Sequence, residues 1–502
     1  MSSSHQRPDW RSSAETAMKD TSIDTIAAFS TPPGESGLAV FRISGPQAGQ
    51  VCDRFFRPSS PAFPRPSLME GYTMAPGIWA DIDQVVLACF RAPHSYTGED
   101  LYEVSCHGGQ AVRQAILASA LSAGARAAGP GEFSRRAFIN GKMDLSSAEA
   151  VMDLIGAQAD RQAQVAFRQL RGGISRTVRQ RVDRLYGVLA RLEMLLDWDE
   201  EEERPQDRLD LIGELDQVET DLLRLAETFT KGRVIREGLS VVIAGSPNVG
   251  KSSLLNRLAQ RDRAIVSPIP GTTRDTVEID LTLDGYLIHL TDTAGLAHES
   301  PDPIERQGIL RAEMALDEAD LLLWVLSPPL LPPEERSLEE ARIDRLIARG
   351  QAILLILGKD DLRSSLPQEE DPVRYAVQRY PEIPSLTWSQ TQEEDLDRLR
   401  GVLIRFIEEG RLDQAPLAEE EMQVPVADTE SHELLTHARH KAAIDRALAL
   451  VAQAKNDLIA SRSFDLVAIS LKEALTELAA ITGDDVSETL IEEIFGRFCV
   501  GK

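Results

Sequence analysis

Lys251 and Ser252 close the string Gly-Ser-Pro-Asn-Val-Gly-Lys-Ser at residues 245–252, which fits the spacing G-x-x-x-x-G-K-[ST]. The chemistry this spacing supports is phosphate binding. The glycines let successive backbone N–H groups point at phosphate oxygens, Lys251 reaches the terminal phosphates, and the Ser252 hydroxyl ligates Mg²⁺. An apolar run at 239–244 precedes the string, and a helical pattern follows it from Ser253. A helix entered through a Gly-rich turn is the bland alternative. Strand, loop and helix in that order argue against it.

Further elements follow at the spacing of a regulatory GTPase. Asn248, Val249, Gly250 and Ser253 belong to the loop and its helix. Ser267, Pro268, Ile269, Pro270, Gly271 and Thr272 lie in the loop after that helix, where Thr273 is the candidate to complete the Mg²⁺ shell. Asp292, Thr293, Ala294 and Gly295 end a third strand; Asp292 would hold Mg²⁺ through water and Gly295 would donate its N–H to the γ-phosphate. Lys359 and Asp361 then fall where a guanine-reading N-K-x-D belongs, and Ser389 where a last base-contacting loop belongs. Gly358 replaces the asparagine, and Ser-Gln-Thr replaces the commoner Ser-Ala-Lys at 389–391, so base affinity is expected to be loosened.

Leu296 stands where many GTPases carry a water-orienting glutamine. A hydrocarbon side chain cannot activate water, so the catalytic group comes from elsewhere. Glu305 is a carboxylate just downstream, able to polarise water directly or through a second water. The same spacing fits an ordinary exposed helix glutamate. Spacing assigns no arginine finger; a monovalent cation held by Asn248 and the loop 267–272 is the alternative source of charge.

These residues need a scaffold. A chain of 502 residues exceeds a single core, so three or more domains are expected. The net charge of −26 argues against a generally basic, nucleic-acid-coating surface, without excluding a local basic site for RNA. No run approaches the ~18 apolar residues of a membrane helix. The polar start has neither signal nor transit character, so cytoplasm is the expected location. Cys52, Cys89, Cys106 and Cys499 show no C-x-x-C spacing, which suggests neither a zinc site nor a disulfide framework.

Residues 22–141 read as an α+β domain, with strands at 25–30, 38–43, 85–90 and 101–106 and a helix at 111–122. Ser-Ser-Ala-Glu at 146–149 reads as a capping box opening a helical block over 142–235, in which Val178, Val182, Leu185, Leu189, Leu192 and Leu196 form one face. Residues 236–412 alternate strands and helices behind the phosphate loop, as a doubly wound α/β domain does. Asp284-Gly285 signals a tight hairpin, lengthened by Tyr286. Helices resume in 413–502, with stripes at Ile444, Ala447, Val451, Ala454 and Leu458 and at Val467, Leu471, Ala474, Leu478 and Ile481. The expected organisation is therefore an α/β domain inserted into an all-α domain, preceded by the α+β domain and an extension at 1–21. Phe495, Phe498 and Cys499 continue a stripe from Ile491, so Cys499 reads as a buried small hydrophobe.

The inserted layout, the Gly-Thr-Thr-Arg-Asp loop at 271–275 and the Phe-Cys-Val-Gly-Lys string at 498–502 together resemble the tRNA modification GTPase family MnmE, also called TrmE. Its N-terminal signatures stand here as Asp-Thr-Ile-Ala at 24–27, Thr-Pro-Pro-Gly at 31–34, Arg-Ile-Ser-Gly at 42–45, Ser-Tyr-Thr-Gly-Glu-Asp at 95–100, His-Gly-Gly at 107–109, and a twelve-residue string at 131–142. Ser36 departs from a family glycine.

The resemblance implies a folate-binding-like N-terminal domain that forms a homodimer and holds a tetrahydrofolate derivative, with Arg42, Glu103, Lys142 and Lys502 at the matching positions. It implies K⁺ ligands at Asn248, Ser267, Ile269 and Thr272, and a catalytic role for Glu305. It also implies action with the flavoprotein MnmG on wobble uridine of tRNA, placing an aminomethyl or carboxymethylaminomethyl group on the five position. Cys499 matches a cysteine suspected of direct chemistry in the family. The rival reading is a ribosome-assembly or other switch GTPase without modification chemistry. The folate-type domain and the Cys-Val-Gly-Lys string argue against it.

Overall fold

The computed structural model describes residues 24–196, 205–261, 263–265, 277–293, 303–365, 367, 370–410, 412, 433–484 and 486–502. In chain order the elements are β1 (Ile26–Phe29), β2 (Ala39–Ser44), α1 (Ala48–Phe55), β3 (Phe56–Pro58), β4 (Thr73–Trp79), β5 (Asp83–Phe90), β6 (Leu101–Cys106), α2 (Gln110–Ser122), β7 (Arg126–Ala127), α3 (Glu132–Ile139) and α4 (Leu145–Gly156). Then come α5 (Asp160–Leu170), α6 (Gly173–Leu196), α7 (Pro205–Glu227), α8 (Phe229–Glu237), β8 (Leu239–Ala244), α9 (Lys251–Arg261), β9 (Arg263–Ile265), β10 (Val277–Leu283), β11 (Tyr286–Asp292), α10 (Pro303–Glu318), β12 (Leu321–Leu326) and α11 (Pro333–Ala348). The last are β13 (Ile353–Gly358), α12 (Pro372–Arg379), β14 (Ser385–Trp388), α13 (Glu393–Glu409), α14 (Ala438–Ile459), α15 (Phe464–Thr482) and α16 (Glu488–Gly496).

The chain divides into two compact units, residues 1–152 with 479–502, and residues 153–478. In the first, seven strands form one sheet in the order β3-β4-β5-β6-β2-β1-β7. Alternation decides its faces. Val85, Leu87 and Cys89 of β5 point into the core with Phe41 and Ile43 of β2, while Met74 and Ile78 of β4 stay exposed. Strand β4 contains Pro76 and Gly77, turn-forming residues that hide it from a pattern-based reading.

Two expectations change here. Residues 146–149 are not a capping box at the helix start, because Asp144 caps α4: its Oδ1 accepts from the Ser147 N–H at 2.9 Å and from Ser146 Oγ at 3.1 Å. An aspartate two residues earlier competes for the same first-turn donors and wins. Cys499 is exposed rather than buried, because α16 ends at Gly496 and the helical period stops with it.

In the second unit the sheet order is β14-β13-β12-β8-β11-β10-β9. Strands β11, β8, β12, β13 and β14 run parallel, and β10 runs antiparallel to both its neighbours, β11 and the edge strand β9. Every residue of β12 and of β13 is buried, as strands covered on both faces require. The β10–β11 hairpin pairs Leu283 with Tyr286, so Asp284-Gly285 is a two-residue turn with positive φ at both positions, and Tyr286 is the first strand residue rather than an extension of the loop.

Helices from both ends of the unit pack together, α14 lying against α7 and α8. Gln169 at the end of α5 donates from Nε2 to Thr436 Oγ1 at 2.9 Å, joining chain from before and after the α/β segment. Both stripes of α14 and α15 are buried as expected. The α6 face frays at its end, where Leu196 is 38% exposed.

Candidate functional site

Residues 245–252 leave the C-terminal end of β8, the middle strand of the seven-stranded sheet, and enter α9. Ligands of open α/β sheets bind at such strand ends. Three backbone positions shape the loop. Gly245 has φ of 136°, and a Cβ there would overlap the Val325 carbonyl oxygen. Asn248 has φ of 62°, a left-handed conformation that asparagine tolerates better than most residues. Gly250 (φ 106°) lies against the buried Trp388 indole.

Lys251 is buried and its Nζ donates to the carbonyl oxygens of Gly245 and Ser246, both at 2.9 Å. Ser252 Oγ donates to Asp292 Oδ2 at 2.8 Å, bringing together two residues 40 positions apart that the spacing assigned to one metal. The other oxygen, Asp292 Oδ1, is buried and has no hydrogen-bond partner among the described residues. Burial pushes the Asp292 carboxyl above its usual range, against the Ser252 hydrogen bond and the Lys251 charge. Burial likewise holds the Lys251 ammonium below its usual range. A carboxylate oxygen without a partner among the described residues and a buried ammonium held only by two carbonyls fit a Mg²⁺ and a phosphate respectively. Thr293, fully buried, is locked by its N–H and Oγ1 to the Ile243 carbonyl.

The residues that the spacing assigned to base reading converge as well. Ser389 Oγ donates to Asp361 Oδ1 at 2.9 Å, while the Ser389 N–H donates to the buried Asp395. Lys359 carries φ of 56° and its Nζ donates to the Pro328 carbonyl. A Cβ at Gly358 would lie 3.5 Å from the Val249 carbonyl oxygen, so the strand end faces the phosphate loop without a side chain between them.

Ser267, Pro268, Ile269, Pro270, Gly271, Thr272, Thr273, Ala294, Gly295 and Leu296 lie outside the described residues. Glu305 falls in the described helix α10, but its side chain lies outside them. One neighbour escaped the reading by spacing: Glu339 of α11, whose Oε1 accepts from Ser246 Oγ at 3.0 Å and from Trp324 Nε1 at 3.2 Å. Nothing in the run of acids at 334, 335, 339 and 340 sets it apart in sequence.

In the first unit, Arg42 and Glu103 are direct cross-strand partners of β2 and β6, paired at 2.6 Å. Arg42 lies over the rings of Tyr96 at 5.0 Å and Phe133 at 5.6 Å, and its Nη1 is buried without a hydrogen-bond partner among the described residues. The same loop reaches Lys142, whose Nζ donates to the Pro93 carbonyl at 2.9 Å. Residues 499–502 come alongside. Phe133 N–H donates to the Lys502 carbonyl at 3.1 Å, Pro130 bridges Val500, and Ser30 Oγ donates to the Gly501 carbonyl at 3.0 Å. Arg42, Glu103 and the 499–502 segment are thus joined through Phe133, and Lys142 through the Pro93–Tyr96 loop.

Comparison with known proteins agrees with both halves. A family model described as the MnmE helical domain matches residues 145–499, and one described as GTP-binding protein TrmE N-terminus matches residues 25–142. The tRNA modification GTPase MnmE of Symbiobacterium thermophilum is 40% identical over 484 residues, covering 95% of this chain and 99% of that one. The proteins of the same name from Natranaerobius thermophilus and Geobacillus kaustophilus are 37% and 36% identical, covering 95% and 96% of this chain and 99% and 100% of theirs. The chain belongs to the tRNA modification GTPase MnmE family, and its enzyme class is GTP hydrolase.

Proposed function

We propose that this chain is a K⁺-activated GTPase whose hydrolysis cycle serves modification of the five position of wobble uridine in tRNA, together with the flavoprotein MnmG. The observation that carries the nucleotide half is the Ser252–Asp292 pair with its open buried oxygen beside Lys251. The loop amides and Lys251 would hold the phosphates, and Ser252, Thr273 and, through water, Asp292 would hold Mg²⁺. Asp361 accepts from the guanine edge and is oriented by Ser389. Bound Mg²⁺ would withdraw charge from the phosphate oxygens. Glu305 orients the attacking water and takes its proton as the bond from the γ-phosphorus to the bridging oxygen breaks, leaving GDP and phosphate. Asn248, Ser267, Ile269 and Thr272 are assigned to K⁺, which would supply the positive charge that an arginine finger supplies elsewhere.

For the N-terminal unit the unpartnered Arg42 Nη1 is a donor suited to a carbonyl or carboxylate, and the flanking Tyr96 and Phe133 rings suit a flat heterocycle. That supports a tetrahydrofolate derivative held by Arg42, Glu103, Lys142 and Lys502. A bound folate would supply the one-carbon unit. The exposed Cys499 lies on the segment that carries Lys502, which supports a part in that chemistry. Homodimer formation is supported by the outer sheet face, where Met74 and Ile78 lie beside partly exposed Val86, Ala88 and Phe90. Among the described residues no helix is long and apolar enough to cross a membrane; the cytoplasm is the proposed location.

Two measurements test this reading. Hydrolysis in K⁺ should exceed that in Na⁺ by at least about tenfold, corresponding to roughly 1.4 kcal/mol of transition-state stabilisation; equal rates remove the cation assignment. Mass spectrometry of tRNA from a deletion strain should show wobble uridine lacking its five-position substituent. An unchanged nucleoside profile refutes the modification role.

A further inference from the structure

We propose that Glu339 is a positioning residue of the phosphate loop and, through its charge, lowers the affinity of that loop for nucleotide. The inference rests on residues 245–252 being the GTP site. Two donors meet on one oxygen of Glu339: Ser246 Oγ from the loop, at 3.0 Å, and Trp324 Nε1 from the buried strand β12, at 3.2 Å. Ser246 is also one of the two residues whose carbonyl oxygens seat Lys251 Nζ. Glu339 therefore ties the carbonyl that positions Lys251 to a fully buried tryptophan.

Its charge acts in the opposite direction. A carboxylate beside the loop faces the Lys251 ammonium and Arg342, and offers part of the attraction that phosphates would otherwise receive. Burial raises the Glu339 carboxyl above its usual range, as expected where an anion is poorly solvated. A neutral residue of the same shape would hold Ser246 without that cost. Because both donors converge on Oε1, a glutamine can present its amide oxygen to them.

The two roles predict opposite effects from two substitutions. In the full chain, titrated calorimetrically with Mg²⁺–GDP, Glu339→Gln is expected to lower Kd by about 3- to 10-fold. Glu339→Ala, which loses both hydrogen bonds, is expected to raise it by about 3- to 10-fold. A Kd shifted in the same direction by both substitutions overturns the proposal, as does Glu339→Gln leaving Kd unchanged or raised. If Glu339→Ala fails to fold, the glutamine variant alone decides. Failure of the wild-type chain to bind GDP overturns the nucleotide-site reading itself, and that result is seen before any variant is compared.

Discussion

Asp292→Asn is expected to lower kcat/KM for GTP by at least about 100-fold, with the thermal midpoint of the nucleotide-free protein unchanged or raised. The activity loss follows from the carboxylate's position. One oxygen takes the Ser252 hydroxyl, and the other is buried without a partner among the described residues, at the end of the strand beside the phosphate loop. An amide keeps the shape and the acceptor for Ser252 but removes the negative charge that a divalent cation needs. The stability change follows from the sign of the shift. The Asp292 carboxyl is raised in the fold, so its ionised form is less favoured there than in the unfolded chain. Above the usual carboxylate range that charge costs stability, and a neutral side chain removes the cost. Phosphate release assays and thermal melts in EDTA check the two halves. A destabilised, equally inactive variant would instead make Asp292 a structural residue.

The second large effect concerns Gly501. Its φ is 96°, and an added Cβ would overlap the Phe29 carbonyl oxygen and crowd Ser30. Gly501→Val therefore combines a left-handed β-branched residue with a backbone clash, at a cost of about 2–4 kcal/mol. In the first unit this should appear as a melting transition lowered by roughly 5–10 °C. If the proposed folate site is there, folate affinity should fall with it, because the displaced segment carries Lys502 and its contact to Phe133. GDP affinity, which belongs to residues of the second unit, should stay within about twofold. A variant with unchanged melting would show that the segment is only loosely seated.

The phosphate site was legible because its chemistry constrains both residue type and spacing over a short stretch. Lys251 and Ser252 could be placed from eight residues, and Asp292 from the strand that precedes it. Strand β6 was read at its observed bounds, since apolar Tyr102, Val104 and Cys106 alternate with polar Glu103 and Ser105 and the pattern ends at His107. What failed to show was decided by competition or by distance. Asp144 and Ser146 both offer an oxygen to the first turn of α4, and which one caps it depends on where the chain turns. Cys499 fits a helical stripe that the backbone abandons three residues earlier. Strand β4 hides behind Pro76 and Gly77, the glycine required because Phe56 and Arg57 of β3 pack where its Cβ would stand. Glu339 is one of several acids on an exposed-looking helix; only the fold brings it to Ser246.

The seating of residues 499–502 also has a consequence in time. Ser30 and Gly501 are separated by 471 positions, yet one hydrogen-bonds the other. At ribosomal speeds of about 5–20 residues per second, strand β1 waits roughly 25–90 s for that partner to be translated. The strands and helices behind the phosphate loop, complete with α13 at Glu409, emerge about 5–18 s before Gly501, while the Phe29 and Phe133 edge is still bare. The α/β part of a nascent chain can thus fold before the N-terminal unit is finished, and a message cut short after Glu409 yields the former without the latter.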